Sequence, residues 1–188
     1  MGEKIVLASK SPQRKEILAK LGFDFEVCPP EQEEVVDYFK TPEEIAKNIA
    51  LQKALEIQKR YPDRLILAVD TIVVSAAGNI LMKPKDKAEA RFMILGKSDS
   101  VETVVSGIAL LKGDEKLVRY EKSHIYFAKI TESDADKILT FNEWQGRSGA
   151  FSVEGRTSLY IKGIKGCFYN IVGLPVYLFN NMLYEFSL

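Results

Sequence analysis

The chain has 188 residues, of which 46% are hydrophobic and 28% are charged, a composition typical of a globular protein with a substantial core. Lysine plus arginine equals aspartate plus glutamate at 26 residues each, so no excess charge attracts a nucleic acid or an anionic membrane. The sequence lacks an apolar run of membrane-spanning length and a signal-peptide core, which predicts a cytoplasmic protein without nucleic-acid or membrane partners.

The first half of the chain predicts well-capped helices between apolar strands. Ser11 is a good cap for the first helix, and Pro12 fits the first helical position. Thr41-Pro42-Glu43-Glu44 combines a capping box with an early proline at the start of the second helix. Gly22 and Gly96 are expected to end the first and third helices. The predicted strands are 4–8, 65–75 and 80–82, and the predicted helices are 12–21, 41–60 and 86–95.

The second half predicts a long hairpin across Gly113-Asp114 and then a helix capped by Thr131. Pro175 is expected to begin the last helix. The predicted strands are 101–112, 117–130 and 159–164, and the predicted helices are 131–141 and a segment that begins at 175. Strands mixed with helices and at least one long hairpin favour an α/β fold with a mixed sheet over a doubly wound parallel sheet.

The cysteines and the histidine predict no metal chemistry. Cys28 and Cys167 are far apart and form no CxxC pair, so buried, reduced thiols are expected rather than a disulfide or a metal site. His124, the single histidine, lies in a predicted strand and is expected to be structural. A zinc enzyme is therefore not expected.

The segment LASKSPQRKEIL (7–18) places hydroxyls and cations directly after an apolar strand. One interpretation is an ordinary strand-to-helix connection. The other is an anion site, because the free N–H groups and the dipole of a helix N-terminus favour phosphate oxygens. Two serines and Arg14 stand at that N-terminus.

Three charged residues interrupt apolar patterns. Lys53 falls in the middle of the apolar stripe of the second helix, although a lysine there often extends along the core to reach water. Asp70 lies inside the strand LILAVDTIVV, where a carboxylate is costly unless it is paired or bound to a metal. A structural salt bridge is the alternative for Asp70. Lys83 precedes Pro84 at a strand end, which alone indicates only a strand exit.

These charges together indicate a metal-dependent enzyme that acts on phosphates or nucleotides. A phosphate chain accounts for the unmatched cations, and a divalent metal between the carboxylates and that chain accounts for Asp70. The sequence contains neither a Walker-type GxxxxGK[ST] nor a GxGxxG motif, so a P-loop or Rossmann site is not supported.

Seven ordered segments make the chain resemble the Maf family (septum-formation-inhibitor-like proteins), whose members are nucleoside triphosphate pyrophosphatases. Each segment alone is a weak signal, but the set follows the family's order and spacing over almost the whole chain. The segments are LASKSPQRKEILAKLG (7–22), LQKA (51–54), AVDTIVV (68–74), MKP (82–84), SGIAL (106–110), GRSGAFSVEG (146–155) and GCFYNIVGLP (166–175).

The resemblance implies a single Maf-like domain over 1–188, with a two-lobed α/β fold around an extended mixed sheet and a central cleft. It also implies frequent homodimerisation. The implied reaction is the hydrolysis of a nucleoside triphosphate to a monophosphate and pyrophosphate, with Mg²⁺ or Mn²⁺ as the cofactor.

Position by position, the resemblance also implies roles for single residues. Asp70 matches the family's catalytic acid, described as the proton acceptor. Glu34 matches the acidic residue that shares the metal with Asp70, although the segment EQEE can also be aligned one residue away. Ser9 and Arg14 match the phosphate-binding loop. Lys53 and Lys83 match the lysines that contact phosphate.

Three positions bear on the choice of base. Pyrimidine-selective members, which act on dTTP and UTP, carry arginine in place of Gln13 and glutamine in place of Glu154. A subfamily that acts on methylated GTP carries a bulky aromatic residue at the first position and glutamate at the second. This chain shares Thr71 with the pyrimidine-selective members and Glu154 with the other subfamily, whereas Gln13 matches neither. Alternatively, Glu154 pairs with Arg147 or Arg156 and never meets the base.

Three functions follow from these residues. The leading hypothesis is a pyrophosphatase that removes certain nucleotides from the pool, with an associated role in arresting cell division. The second is a phosphatase or other nucleotide hydrolase that cleaves a different bond. The third is a non-catalytic nucleotide-binding regulator of septum formation, although a regulator has no need of a carboxylate in a buried strand.

Overall fold

The computed structural model describes residues 3–186. These residues contain seven strands, six α-helices and two short 3₁₀-helices. The strands are β1 (Ile5–Leu7), β2 (Phe25–Val27), β3 (Ile66–Val74), β4 (Ile80–Leu81), β5 (Val101–Lys112), β6 (Glu115–Phe127) and β7 (Ile161–Lys165). The helices are α1 (Pro12–Lys20), α2 (Pro42–Gln58), α3 (Lys87–Leu95), α4 (Glu132–Leu139), α5 (Phe168–Val172) and α6 (Val176–Glu185).

The strands form one mixed sheet, which confirms the predicted fold class. Their order is β2-β1-β3-β5-β6-β7, and β4 pairs with β3. Strand β1 runs parallel to β2 and β3, whereas β3 with β4 and β6 with β7 are antiparallel. Within residues 3–186, no helix has both the length and the apolar composition needed to cross a bilayer.

The chain divides into two compact units, and the implied single domain and central cleft stay predictions. Unit 1 contains the chain up to Thr71, Ser106–Glu121 and the chain from Gly173 onward. Unit 2 contains Ile72–Val105 and Lys122–Val172.

The core of unit 1 lies between α2 and strands β1, β3 and β5. Two small side chains on α2, Ala50 and Ala54, belong to the same buried cluster as Val6 and Ile66. Gly107 of β5 allows the closest approach, because a Cβ there would collide with the backbone of Ala46 and Lys47. The fit of α2 on the sheet therefore depends on the absence of a side chain at position 107.

Unit 2 has an apolar core that encloses an ion pair. Lys97 Nζ lies 2.7 Å from Glu102 Oε1, and both side chains are almost fully buried. The ammonium also lies 5.0 Å from the ring centroid of Phe151 and 5.8 Å from that of Phe127. Burial lowers the pKa of Lys97 and raises the pKa of Glu102, because the core disfavours both charges.

The helix signals predicted most elements, and the differences are small. Capping residues Ser11, Thr41, Asp86 and Thr131 each accept a hydrogen bond at a helix start. Helices α2 and α4 end two residues before the predicted ends, β6 ends at Phe127, and the short elements β2 and α5 were not predicted. Cys28 and Cys167 are free thiols, as predicted, but they are partly exposed rather than buried.

Candidate active site

Arg14 is held in unit 1 by three different acceptors. It lies in the first turn of α1, where its backbone N–H donates to the Ser11 hydroxyl at 3.5 Å. Its side chain donates from Nε to the Gly173 carbonyl at 2.9 Å, from Nη1 to Ser9 Oγ at 3.0 Å and from Nη2 to Thr71 Oγ1 at 3.1 Å. These three bonds fix the plane of the guanidinium.

Arg14 is a buried cation whose hydrogen-bond acceptors are all neutral. Only 9% of the residue is exposed, and within residues 3–186 no carboxylate lies close enough to form an ion pair with it. Burial lowers the pKa of Arg14, while the charges of Asp70 and Glu34 act in the opposite direction. A buried cation without a bonded anion attracts an anionic ligand.

Ser9 and Thr71, two of the acceptors of Arg14, are themselves held in place. Ser9 Oγ accepts a hydrogen bond from the Ser11 backbone N–H at 3.2 Å. The Thr71 hydroxyl lies 2.9 Å from Ser106 Oγ, so Thr71 is engaged with Arg14 and Ser106.

Lys53 lies between two carboxylates of the same unit. Its Nζ is 2.6 Å from Asp70 Oδ1 and 2.8 Å from Glu34 Oε1. The predicted apolar stripe around it is buried, and its members are Ile45, Ala46, Ile49, Ala50 and Ile57. The Lys53 ammonium therefore forms ion pairs instead of extending into solvent. Asp70 forms a salt bridge, which is the alternative that the sequence offered for a carboxylate in this strand.

Glu34 and Asp70 are the two side chains that could hold a divalent metal here. Both carboxylates contact one cationic atom, and hard oxygen ligands of this kind suit Mg²⁺ and Mn²⁺. Across residues 3–186, no group of three or more His, Cys, Asp or Glu side chains is arranged to hold a metal ion. The pair fits the sites in which substrate phosphates complete the coordination of Mg²⁺.

Unit 1 brings together most of the residues that the sequence singled out. Ser9, Arg14 and Thr71 form one hydrogen-bonded group, and Lys53 joins Glu34 to Asp70. Gln13 is also in unit 1, where its Oε1 accepts from the Ser11 hydroxyl at 3.0 Å.

Lys83 and Glu154 belong to unit 2. Both are exposed, and in the described part of the chain neither forms an ion pair. The proposed alternative for Glu154 is therefore wrong, since it pairs with neither Arg147 nor Arg156. The Arg156 guanidinium instead lies 5.0 Å from the ring centroid of Phe141.

Sequence reasoning missed two partners of the Arg14 group. The Gly173 carbonyl carries no sequence signal, although its φ of 126° requires glycine. Ser106 is fully buried in β5, and a hydroxyl inside the apolar run VVSGIALL could have been recognised by its position.

Comparison with known proteins gives one family over nearly the whole chain. The family model described as Maf-like protein matches residues 4–186. A dTTP/UTP pyrophosphatase of Symbiobacterium thermophilum is 37% identical over 98% of this chain and 95% of its own length. The proteins of the same name from Caldicellulosiruptor saccharolyticus and Bacillus anthracis are 36% and 34% identical, over 96% and 98% of this chain and 94% and 96% of their own lengths.

Proposed function

The chain belongs to the Maf family and is a nucleoside triphosphate pyrophosphatase, and we propose that its reaction centre is the group of Arg14, Lys53, Asp70 and Glu34. The observation that carries this proposal is the buried guanidinium of Arg14, which bonds only neutral acceptors. A triphosphate supplies the anion that this cation lacks.

Asp70 acts as the general base in this proposal. Its carboxylate takes a proton from the water that attacks the α-phosphorus. The bond from that phosphorus to the bridging oxygen then breaks, and the products are a nucleoside monophosphate and pyrophosphate. The partial exposure of the Asp70 side chain, 14%, leaves access for water.

Arg14 and Lys53 oppose the charge that builds on the leaving pyrophosphate. Ser9 adds a hydroxyl beside Arg14, and the N-terminus of α1 adds free N–H groups. The role of Lys83 as a phosphate-contacting lysine rests on the family resemblance alone; its side chain is exposed and forms no ion pair within residues 3–186.

Glu34 and Asp70 would hold the divalent cofactor, Mg²⁺ or Mn²⁺. Such an ion, when bound, polarises the attacking water and offsets phosphate charge. Lys53 contacts both carboxylates in the structure, and with these carboxylates on a metal its ammonium would be available for a phosphate oxygen. The same side chain thus serves two partners in turn.

We propose dTTP and UTP as substrates, because the relatives that carry this name cover nearly the whole chain. Gln13 and Glu154 should weaken that preference relative to pyrimidine-selective members. A carboxylate only accepts hydrogen bonds, and it suits the N–H donors of guanine better than the carbonyls of uracil. Within residues 3–186 no ion pair occupies the exposed Glu154 carboxylate.

Product analysis with a panel of nucleotides tests this function. Incubation with Mg²⁺ or Mn²⁺ should release pyrophosphate and a monophosphate in equal amounts. Release of inorganic phosphate with a diphosphate would instead indicate a phosphatase. Tight nucleotide binding without turnover would indicate the regulator of septum formation. A role in cleaning the nucleotide pool, a homodimer and a cytoplasmic location stay predictions.

A further inference from the structure

The segment that carries Glu34 is not fixed by apolar packing. Residues 31–37 form neither helix nor strand. Val35 and Tyr38 are 74% and 64% exposed, and Phe39 is fully exposed. Because a segment with few buried apolar contacts opens easily, polar contacts must determine where the Glu34 carboxylate lies.

Lys53 of α2 contacts the Glu34 carboxylate itself, and two further side chains of α2 bond the backbone of the segment. The Glu56 carboxylate accepts from the backbone N–H of Glu31 at 2.7 Å and of Gln32 at 3.3 Å. The Gln52 amide accepts from the Val35 N–H at 3.0 Å and donates to the Val35 carbonyl at 2.9 Å. Residues four apart lie on one face of a helix, so one face of α2 fastens both ends of the stretch 31–35.

The burial of Glu56 indicates a specific purpose. The residue is only 8% exposed, and a buried carboxylate needs hydrogen bonds to offset its lost hydration. Its partners are two backbone N–H groups that precede Glu34. At roughly 100° per residue, Glu56 also falls on the same stripe as Ile45 and Ile49, where an apolar side chain would pack better.

We propose that Gln52 and Glu56 are positioning residues that hold the Glu34 carboxylate at the divalent-metal position beside Asp70. Gln32 lies two residues before Glu34 and Val35 directly follows it, and the backbone of each is bonded to α2. The Lys53–Glu34 contact lies between these two attachments. This inference rests on the proposed function of Glu34 as a metal ligand.

The test compares three single variants of the full chain. Gln52→Ala removes both bonds to Val35, and Glu56→Gln replaces one acceptor oxygen with a donor group. Gln58→Ala is the matched control, because Gln58 lies on the same helix and donates a hydrogen bond to a backbone carbonyl, that of Gly113 at 2.7 Å. Mn²⁺ binding is measured by titration calorimetry in the presence of a non-hydrolysable dUTP analogue.

Gln52→Ala and Glu56→Gln should each weaken Mn²⁺ binding about 10-fold, a typical loss when an outer partner of a metal ligand is removed. Gln58→Ala should leave the Mn²⁺ affinity unchanged. Amide hydrogen exchange should accelerate at residues 31–35 in the first two variants only. Equal Mn²⁺ affinities in all three variants would overturn the inference, as would faster exchange without weaker binding.

Combining these changes with Glu34→Ala distinguishes a failure of the positioning role from a failure of the proposed metal role of Glu34. Glu34→Ala should itself weaken Mn²⁺ binding, and adding Gln52→Ala to it should have no further effect. If Glu34→Ala leaves the Mn²⁺ affinity unchanged, the metal role of Glu34 fails. If Glu34→Ala weakens binding but Gln52→Ala does not, only the positioning role fails. If circular dichroism shows that Gln52→Ala does not fold, the Mn²⁺ affinity of Glu56→Gln tests the positioning role instead. Glutamine differs from the native glutamate by a single heavy atom, so this variant should fold.

Discussion

The ammonium of Lys53 lies 2.6 Å from a carboxylate oxygen of Asp70, and the two side chains are only 13% and 14% exposed. The same ammonium lies 2.8 Å from Glu34. A single lysine thus bridges two carboxylates that would otherwise repel each other, and it offsets one of their two negative charges. Without a divalent metal, this lysine is the cation in direct contact with both carboxylates, and Arg14 adds a more distant positive charge.

Lys53→Met should therefore destabilise the metal-free protein. The apolar stripe alone would predict the opposite, since methionine suits a buried helix face. We expect a loss of about 1–3 kcal/mol, because removing one partner of a largely buried pair leaves unpaired charge. Thermal unfolding with and without Mn²⁺ measures it, and Mn²⁺ should raise Tm more in the variant. Lys59→Met, at an exposed position near the end of α2, is the control and should change Tm little.

Asp70→Asn should abolish turnover and leave the fold intact. Loss of a general base typically slows a reaction by about 10²–10⁴-fold, and loss of a metal ligand adds to that. Pyrophosphate release and circular dichroism check the two parts. Asp63→Asn, an exposed carboxylate of the same unit, should retain wild-type rates. Near-normal turnover by Asp70→Asn would show that Asp70 is not the base.

Thr71→Val should weaken nucleotide binding, whereas Thr71→Ser should not. The hydroxyl of Thr71 accepts from Arg14 Nη2 and contacts Ser106, and serine keeps that hydroxyl. A lost hydrogen bond to a charged group costs about 1.5–3 kcal/mol, which corresponds to roughly a 10-fold or greater rise in KM. If both variants bind substrate equally, the orientation of Arg14 does not depend on Thr71.

The double change Gln13→Arg with Glu154→Gln should shift kcat/KM toward dTTP and UTP relative to guanine nucleotides. It restores the residue pair of pyrimidine-selective relatives. Competition between dTTP and dGTP in one reaction measures the ratio directly. A wild-type enzyme that already excludes dGTP, or a double variant with an unchanged ratio, would show that these residues do not select the base.

The buried pair Lys97–Glu102 should cost stability at a pH at which both groups are charged. Burial raises the pKa of Glu102, so its stabilising contribution is lost as the pH rises from its ordinary pKa to the raised one. Burial lowers the pKa of Lys97. The stabilising contribution of Lys97 is therefore lost as the pH falls from the ordinary pKa of lysine to the lowered one. Both losses are complete where both groups are charged.

The single variants Lys97→Met and Glu102→Leu should therefore be less stable than the double variant. Each single change strands a buried charge and should cost about 3–5 kcal/mol, whereas the double change should be neutral or stabilising by about 1–4 kcal/mol. Denaturant unfolding of the wild type, the two single variants and the double variant measures the four free energies of unfolding that this comparison needs. A double variant that loses the sum of the two single effects would contradict this expectation.

The residues that interrupt a pattern could be predicted from the sequence. Lys53 and Asp70 each place a charge where the helix or strand period requires an apolar side chain, and the structure joins them. Arg14 could be predicted because it follows a capping serine at a helix start.

Contacts through the backbone could not be predicted. The attachment of residues 31–35 to α2 uses main-chain groups that nearly all residues possess, so these groups carry no sequence signal, although Glu56 interrupts the apolar stripe of α2. Strand β2 has three residues and α5 has five, too few for a period to emerge. Lys97 was missed because the stretch GKSDS resembles a solvated loop, although the lysine is fully buried.

The bond from Arg14 to the Gly173 carbonyl joins residues 159 positions apart. A ribosome makes Arg14 long before Gly173, so a growing chain carries α1 without the acceptor that orients its guanidinium. Contacts of such long sequence separation also form late in folding. Fragments that stop before Gly173 should therefore bind a nucleotide more weakly than the full chain, and the affinity of a growing chain should rise once the segment that begins at Gly173 has been made.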